Sequence, residues 1–275
     1  MLRTRVLSSL VLVPLVAALT YAGGWVLAAA ILAVTVRAAY ELFHLMTGVG
    51  YRPSLPATAL VIAALVVAAR FPDWPLFGLV LAASIVGTLT WQLLRPPEGQ
   101  PTQSWALTLG AALWLGFLGS HFVLIRDLSA PFGLGIGTLW LVLTFLVTWI
   151  NDSAAYFVGT IASNRIGRHP CSPYLSPKKT WEGTVGGWVG GVAATALLGY
   201  WLVDLPWLHG LALGVLVATV APFGDLAKSM VKRQMKVKDF SALIPGHGGM
   251  FDRIDSLLFV APVVYYYAAL ICPGV

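Results

Sequence analysis

The sequence predicts an all-α, polytopic integral membrane protein with about nine transmembrane helices and a cytoplasmic N-terminus. Three observations carry the prediction. Apolar runs long enough to cross a bilayer recur along the whole chain, only 10% of its residues are charged, and the basic ones gather on alternate connections. A composition that is 58% hydrophobic excludes an ordinary soluble domain, whose surface needs far more charge. No tandem repeat or low-complexity linker divides the 275 residues, so one integral domain, 1–275, is expected.

The first span, 6–22, follows Arg3 and Arg5 and ends at Ala22-Gly23. It resembles a signal peptide, but further spans follow at once, so it reads as a retained helix. The second, 24–46, carries Arg37 and Glu41 four residues apart on one helix face. Each would be costly alone in hydrocarbon, so an ion pair that orients the helix is expected. The third, 55–70, is short for a full crossing. Spans at 75–94 and 104–126 follow, then 134–152, which ends at the polar pair Asn151-Asp152. The last three are 181–203, 207–225 and 255–273.

Nine spans put the N-terminus on the same side as the connections after the second, fourth, sixth and eighth. That side collects Arg3, Arg5, Arg52, Arg95, Arg165, Arg168, Lys178, Lys179, Lys228, Lys232, Arg233, Lys236, Lys238 and Arg253. The other side holds Arg70 and Arg126, while Arg37 lies inside a span. The positive-inside rule makes the crowded side cytoplasmic, in a cell membrane. The net charge of +6 is then topogenic and suited to an anionic substrate, with no nucleic acid implied. Cys171 and Cys272 fall on opposite faces, so no disulfide joins them.

Chemistry concentrates in two cytoplasmic stretches. "NDSAAYFVGTIASNRIGRHPCSPYLSPKKTWEGTVGG" begins at Asn151, and "PFGDLAKSMVKRQMKVKDFSALIPGHGGMFDRIDS" begins at Pro222. Together they hold Asp152, Glu182, Asp225, Asp239, Asp252 and Asp255, six of the 11 acidic residues. If the eighth helix runs on, Asp225, Ser229 and Lys232 share a face, with Lys228 and Arg233 beside it. Asp252 and Asp255 share a face at the start of the ninth. Asp225 and Asp252 then read as hard oxygen ligands for Mg²⁺, an ion that couples a few carboxylates to substrate phosphates. The basic residues would balance phosphate charge. Gly246, Gly248 and Gly249 lend the turn backbone freedom, and His247 either binds phosphate or holds the turn. In the first stretch Lys178 and Lys179 stand beside Glu182, and Asp152 sits at a helix end. The plainer alternatives are topogenic anchors for the basic residues and helix caps for Asp252 and Asp255.

These residues resemble the phosphatidate cytidylyltransferases (CDP-diacylglycerol synthases). Their signature is matched here by Ser229, Lys232, Arg233, Lys238, Asp239, His247, Gly248, Gly249, Asp252, Arg253 and Asp255, and by "NDSAAYFVG" and "SPKKTWEG" with Ser176, Lys178, Lys179 and Glu182. The resemblance covers Asn151 to Ser256. It implies a C-terminal catalytic half, 134–275, behind an N-terminal helical half, 1–133. It also implies CTP and phosphatidic acid as substrates in a membrane of lipid, CDP-diacylglycerol and pyrophosphate as products, Mg²⁺ with room for a second cation, and a homodimer. Competing readings are a transporter, whose charges would lie nearer the midplane, and a lipid kinase using ATP.

Overall fold

The computed structural model describes residues 2–71, 76–96, 100–128, 135–241, 243 and 248–272, with side chains from Ser8 onward. Among them the chain is helical: α1 is Leu2–Ala22, α2 Gly24–Thr47, α3 Leu55–Ala68 and α4 Leu76–Leu93. Helix α5 is Pro101–Arg126 and contains a π-helical stretch at Ala112–Phe117. Then come α6, Ile136–Ile166, α7, Trp181–Val203, α8, Trp207–Gln234, and α9, Phe251–Ile271. Seven of these, α2 and α4–α9, are long and apolar enough to cross a membrane; α1 and α3 contribute shorter apolar helices.

Two helices run on beyond the expected spans, the eighth as the shared face of Asp225, Ser229 and Lys232 requires. Helix α6 runs past the Asn151-Asp152 pair to Ile166, and stops only at Gly167, where φ is 89°. No proline follows Asp152 before the helix ends, and a polar pair with Asn151 buried and Asp152 exposed leaves the backbone hydrogen-bond ladder intact. The first polar stretch is therefore largely helix, and its loop is 167–180. Helix α8 likewise continues nine residues beyond Asp225, to Gln234.

The chain divides into two compact units. The first comprises Met1–Gly133 and Met235–Ile254. Within it α2, α3 and α5 pack together, and hydroxyl groups tie the helices across their faces. Ser54 caps α3, and its N–H donates to Thr108 Oγ1 at 2.9 Å. Thr58 Oγ1 donates to the Thr108 carbonyl at 3.0 Å. At the end of α1, the fully buried Arg126 donates from Nε to the Thr20 carbonyl at 2.8 Å and from Nη2 to that of Tyr21 at 3.3 Å. Gly23 permits this: its φ is 58°, and a Cβ there would lie 2.7 Å from the Arg126 Cζ.

The second unit comprises Leu134–Gln234 and Asp255–Val275. Its helices α6, α7 and α8 pack closely through small residues. Gly183, Gly187 and Gly191, four apart, are all buried on α7. A Cβ on Gly187 would meet Ala155 Cβ at 2.8 Å and the Asn151 carbonyl at 3.0 Å. Gly191 faces Ala218 of α8, so α7 approaches both neighbours at backbone distance.

Candidate active site

In the second unit the loop 167–180 is closed on itself before it delivers a side chain. Pro170 and Thr180 form an antiparallel bridge, Cys171 N–H donates to the Lys179 carbonyl at 3.0 Å, and Trp181 N–H donates to that of His169 at 3.0 Å. Ser176 closes the tip, donating to Ser172 and accepting from Lys179 N–H. Thr180 then caps α7 by accepting Gly183 N–H at 3.1 Å, and Glu182 in the first turn pairs with His169. Lys179 is thus held by backbone on both sides, and its ammonium reaches Asp225 Oδ2 at 2.7 Å.

Asp225 is the centre of a cluster. Lys228, one turn further along α8, contacts Asp225 Oδ1 at 2.8 Å and Asp255 Oδ2 at 2.6 Å. Lys228 and Asp255 are 7% and 6% exposed, while the Asp225 and Lys179 side chains remain about one-third open, at 31% and 27%. Asp152 on α6 lies within electrostatic reach of Asp225, Lys179 and Lys228. Lys179 also reaches the carbonyl of Pro222, the residue whose missing N–H removes one donor from α8. A further tie brings the loop to the helix: Arg233 Nε donates to the Leu175 carbonyl at 3.0 Å. Close backbone contact supports this geometry, because a Cβ on Gly224 would sit 2.4 Å from the Asp255 carbonyl.

The first unit holds the glycine turn. Glu41, 2% exposed, accepts Ser241 Oγ–H at 2.7 Å and Met250 N–H at 3.0 Å on Oε1, and Phe251 N–H at 3.1 Å on Oε2. It caps α9 from another helix, satisfying donors that the first turn leaves open. Asp252 Oδ2 accepts Gly249 N–H at 3.1 Å and Phe240 N–H at 3.3 Å. Gly249 has no room for a side chain, since its Cβ would fall 2.4 Å from Glu41 Oε2. Arg37 approaches Glu41 at 3.5 Å, so the expected pair exists, but it is the lesser of Glu41's attachments.

The expected site residues are therefore distributed as follows. Asp225, Asp255 and Lys179 meet around Lys228 in the second unit, Asp152 lies within electrostatic reach of them, and Ser229 and Lys232 are half-buried further along α8. Gly248, Gly249 and Asp252 form the turn in the first unit. Lys178, Lys238, Asp239 and Arg253 are exposed, and His247 and Gly246 lie outside the described residues. Sequence reasoning missed what Glu41 does and the bridging place of Lys228. A buried acid in an apolar helix was the signal for Glu41; its partners, some 200 residues away, had none. Among the described residues no three His, Cys, Asp or Glu side chains form a ready metal cage. The cluster can still neutralise and orient an anion, with two ammonium groups beside hard carboxylate oxygens.

A model of the cytidylyltransferase family matches residues 3–271. The chain is 32% identical to a phosphatidate cytidylyltransferase of Synechocystis sp., over 98% of this chain and 97% of that protein. It is 34% identical to phosphatidate cytidylyltransferase 5, chloroplastic, of Arabidopsis thaliana, over 93% of this chain and 69% of the relative. A phosphatidate cytidylyltransferase of Bacillus subtilis is 36% identical over 58% of this chain and 56% of its own length.

Proposed function

The chain belongs to the cytidylyltransferase family, and on that premise we propose its reaction and the roles of its residues. It joins CTP to phosphatidate in phospholipid biosynthesis, giving CDP-diacylglycerol and pyrophosphate. A phosphate oxygen of the lipid attacks the α-phosphorus of CTP, the bond from that phosphorus to the bridging oxygen breaks, and pyrophosphate leaves. Such a transfer asks a protein mainly for positioning and charge neutralisation.

The observation that carries the site is the Lys179–Asp225–Lys228–Asp255 cluster. Asp225 holds Lys179 and Lys228 in place until phosphate oxygens compete for them. The loop that carries Lys179 and the helix that carries Lys228 are the two stretches with the family's motifs. Lys178, Lys232, Arg233, Lys238 and Arg253 add cationic contacts for the triphosphate and the lipid phosphate. Ser176, Ser229, Gly248 and Gly249 offer hydrogen bonds to phosphate oxygens. Glu182 braces the loop, Asp239 and His247 belong to the same motif, and Asp152 and Asp255 set the charge around Asp225.

The donor set fits Mg²⁺. Asp225 already presents both oxygens to cations, and hard carboxylate oxygens suit an ion that keeps waters and shares substrate phosphates. Asp225 and Asp252 are the ligands we put forward. When bound, Mg²⁺ supplies electrostatic stabilisation of phosphoryl oxygens. Asp252 also anchors the turn through Oδ2, fixing its carboxylate before substrate arrives.

Nine spans, with the N-terminus and the motif-bearing stretches facing the cytoplasm of a cell membrane, agree with the distribution of basic residues and with the supply of CTP. Assembly is proposed as a homodimer. The test is turnover by purified protein in detergent with phosphatidate and labelled CTP or ATP. Labelled lipid from CTP alone, lost with EDTA and restored by Mg²⁺, is the expected result. Label from ATP, or none from either nucleotide, would refute the assignment.

A further inference from the structure

We propose that the groove between α3 and α4 binds one acyl chain of an anionic bilayer phospholipid, whose phosphate rests on Arg52 and Arg95. The groove encloses about 390 Å³ and is lined chiefly by Pro56, Leu60 and Ala64 of α3 and Val80, Gly87 and Trp91 of α4. Its polar groups are already used. Ser84 Oγ donates to the Val80 carbonyl at 2.6 Å, and Thr88 Oγ1 donates to that of Ser84 at 2.6 Å. Trp91 Nε1 donates to Ser54 Oγ at 2.9 Å, and Trp105 Nε1 to Thr88 Oγ1 at 3.0 Å. A ligand there finds hydrocarbon and almost no free hydrogen-bonding partner, which selects a chain and excludes a polar molecule.

The dimensions fit one leaflet. From Val80 to Trp91 the groove follows α4 for roughly 16 Å at 1.5 Å per residue, about half the thickness of a hydrocarbon core. Towards the N-terminus of α4, Phe77, Val80, Leu81 and Phe117 pack on Val61, Leu65 and Ala112. The outer end of the groove carries the Trp91 indole and the Arg95 guanidinium. Arg95 Nη1 donates to the Arg52 carbonyl at 2.9 Å, which holds the Arg95 guanidinium beside the backbone of Arg52, itself exposed. Among the described residues neither has a carboxylate partner. The capped N-terminus of α3 lies at the same end, adding partial positive charge. Two adjacent arginines and a helix N-terminus above an apolar slot suit a lipid phosphate, and a tryptophan suits the depth of the headgroups. Neither α3 nor α4 carries a residue of the two motifs, so the occupant is a resident lipid and not the one that reacts.

Native mass spectrometry of delipidated protein, titrated with dioleoylphosphatidylglycerol or dioleoylphosphatidylcholine, tests this. One phosphatidylglycerol should bind roughly thirtyfold more tightly than phosphatidylcholine, from two cationic groups acting on one anionic headgroup. Gly87→Leu should weaken that binding at least about tenfold. The new side chain enters open space, with no atom within 4 Å of its Cβ, so the fold and the turnover of a short-chain phosphatidate should persist. Arg52→Gln with Arg95→Gln, which leaves the slot untouched, should reduce phosphatidylglycerol to the phosphatidylcholine level. Equal binding of the two lipids by the wild type would overturn the proposal, as would unchanged binding by Gly87→Leu. So would conversion of a dimer to a monomer by Gly87→Leu, which would make the occupant a second copy of the chain.

Discussion

Replacing Glu41 by glutamine separates a carboxylate that holds the glycine turn from one that merely balances Arg37. Glu41 accepts three hydrogen bonds from the turn, at 2.7, 3.0 and 3.1 Å, in a site closed to solvent. Hydrogen bonds to a charged group contribute about 1.5–3 kcal/mol each. A carboxylate at a helix N-terminus adds roughly 0.3–2 kcal/mol. Glutamine keeps one acceptor and turns an NH₂ group toward a backbone N–H, so one bond is lost and two donors face each other. The turn should lose about 2–4 kcal/mol of ordering. Since it carries Gly248, Gly249 and Asp252, kcat/KM for CTP should fall roughly 30- to 1,000-fold. Arg37→Gln should cost no more than about 1 kcal/mol, because that ion pair is 3.5 Å long and the Arg37 side chain is 32% exposed. Exchanging the two, as Arg37→Glu with Glu41→Arg, should fail, because a guanidinium can only donate and the turn offers donors. CTP saturation kinetics and thermal midpoints for the four proteins make the test. An exchange variant with more than half the wild-type turnover would refute the reasoning, and so would normal kinetics in Glu41→Gln.

Asp225→Asn and Asp252→Asn keep shape and remove charge, so turnover should fall by about a thousandfold or more with near-normal folding yield, as steady-state rates and size-exclusion profiles would report. In Asp252→Asn the side-chain carbonyl still accepts Gly249 N–H, so retained activity would mean a capping role alone. Gly224→Ala forces a methyl group against the Asp255 backbone and should destabilise by about 1–3 kcal/mol, read as a lowered thermal midpoint with reduced turnover. On a cysteine-free background, an impermeant thiol reagent added to intact cells should label a cysteine at Leu128 and miss one at Lys236. Labelling at Lys236 would reverse the proposed orientation.

Helix positions were legible because an apolar window twenty residues long admits few other structures in a bilayer. The predicted 181–203 matches α7 to the residue. Ends were less legible where polarity and helix formation part company, as at Asp152, which looks like a boundary and is the middle of α6. In the site, the i,i+3 relation of Asp225 and Lys228 could be read from helical spacing. The meeting of Lys179 with Asp225 could not, because it depends on how the closed loop 167–180 returns to its own base. Glu41 shows the general difficulty. A buried charge announces that it has a partner, but the nearest basic residue in sequence is the easiest guess, and here the backbone of a distant turn takes the larger share.

Arg126 has a bearing on the order in which the chain assembles. The Thr20 carbonyl at the end of α1 is buried against Arg126, and the group that satisfies it is made more than a hundred residues later. During synthesis the first helix must therefore wait, its end unsealed, until α5 has entered and brought its guanidinium to Gly23. A nascent chain halted before residue 126 has no stable seat for its own beginning.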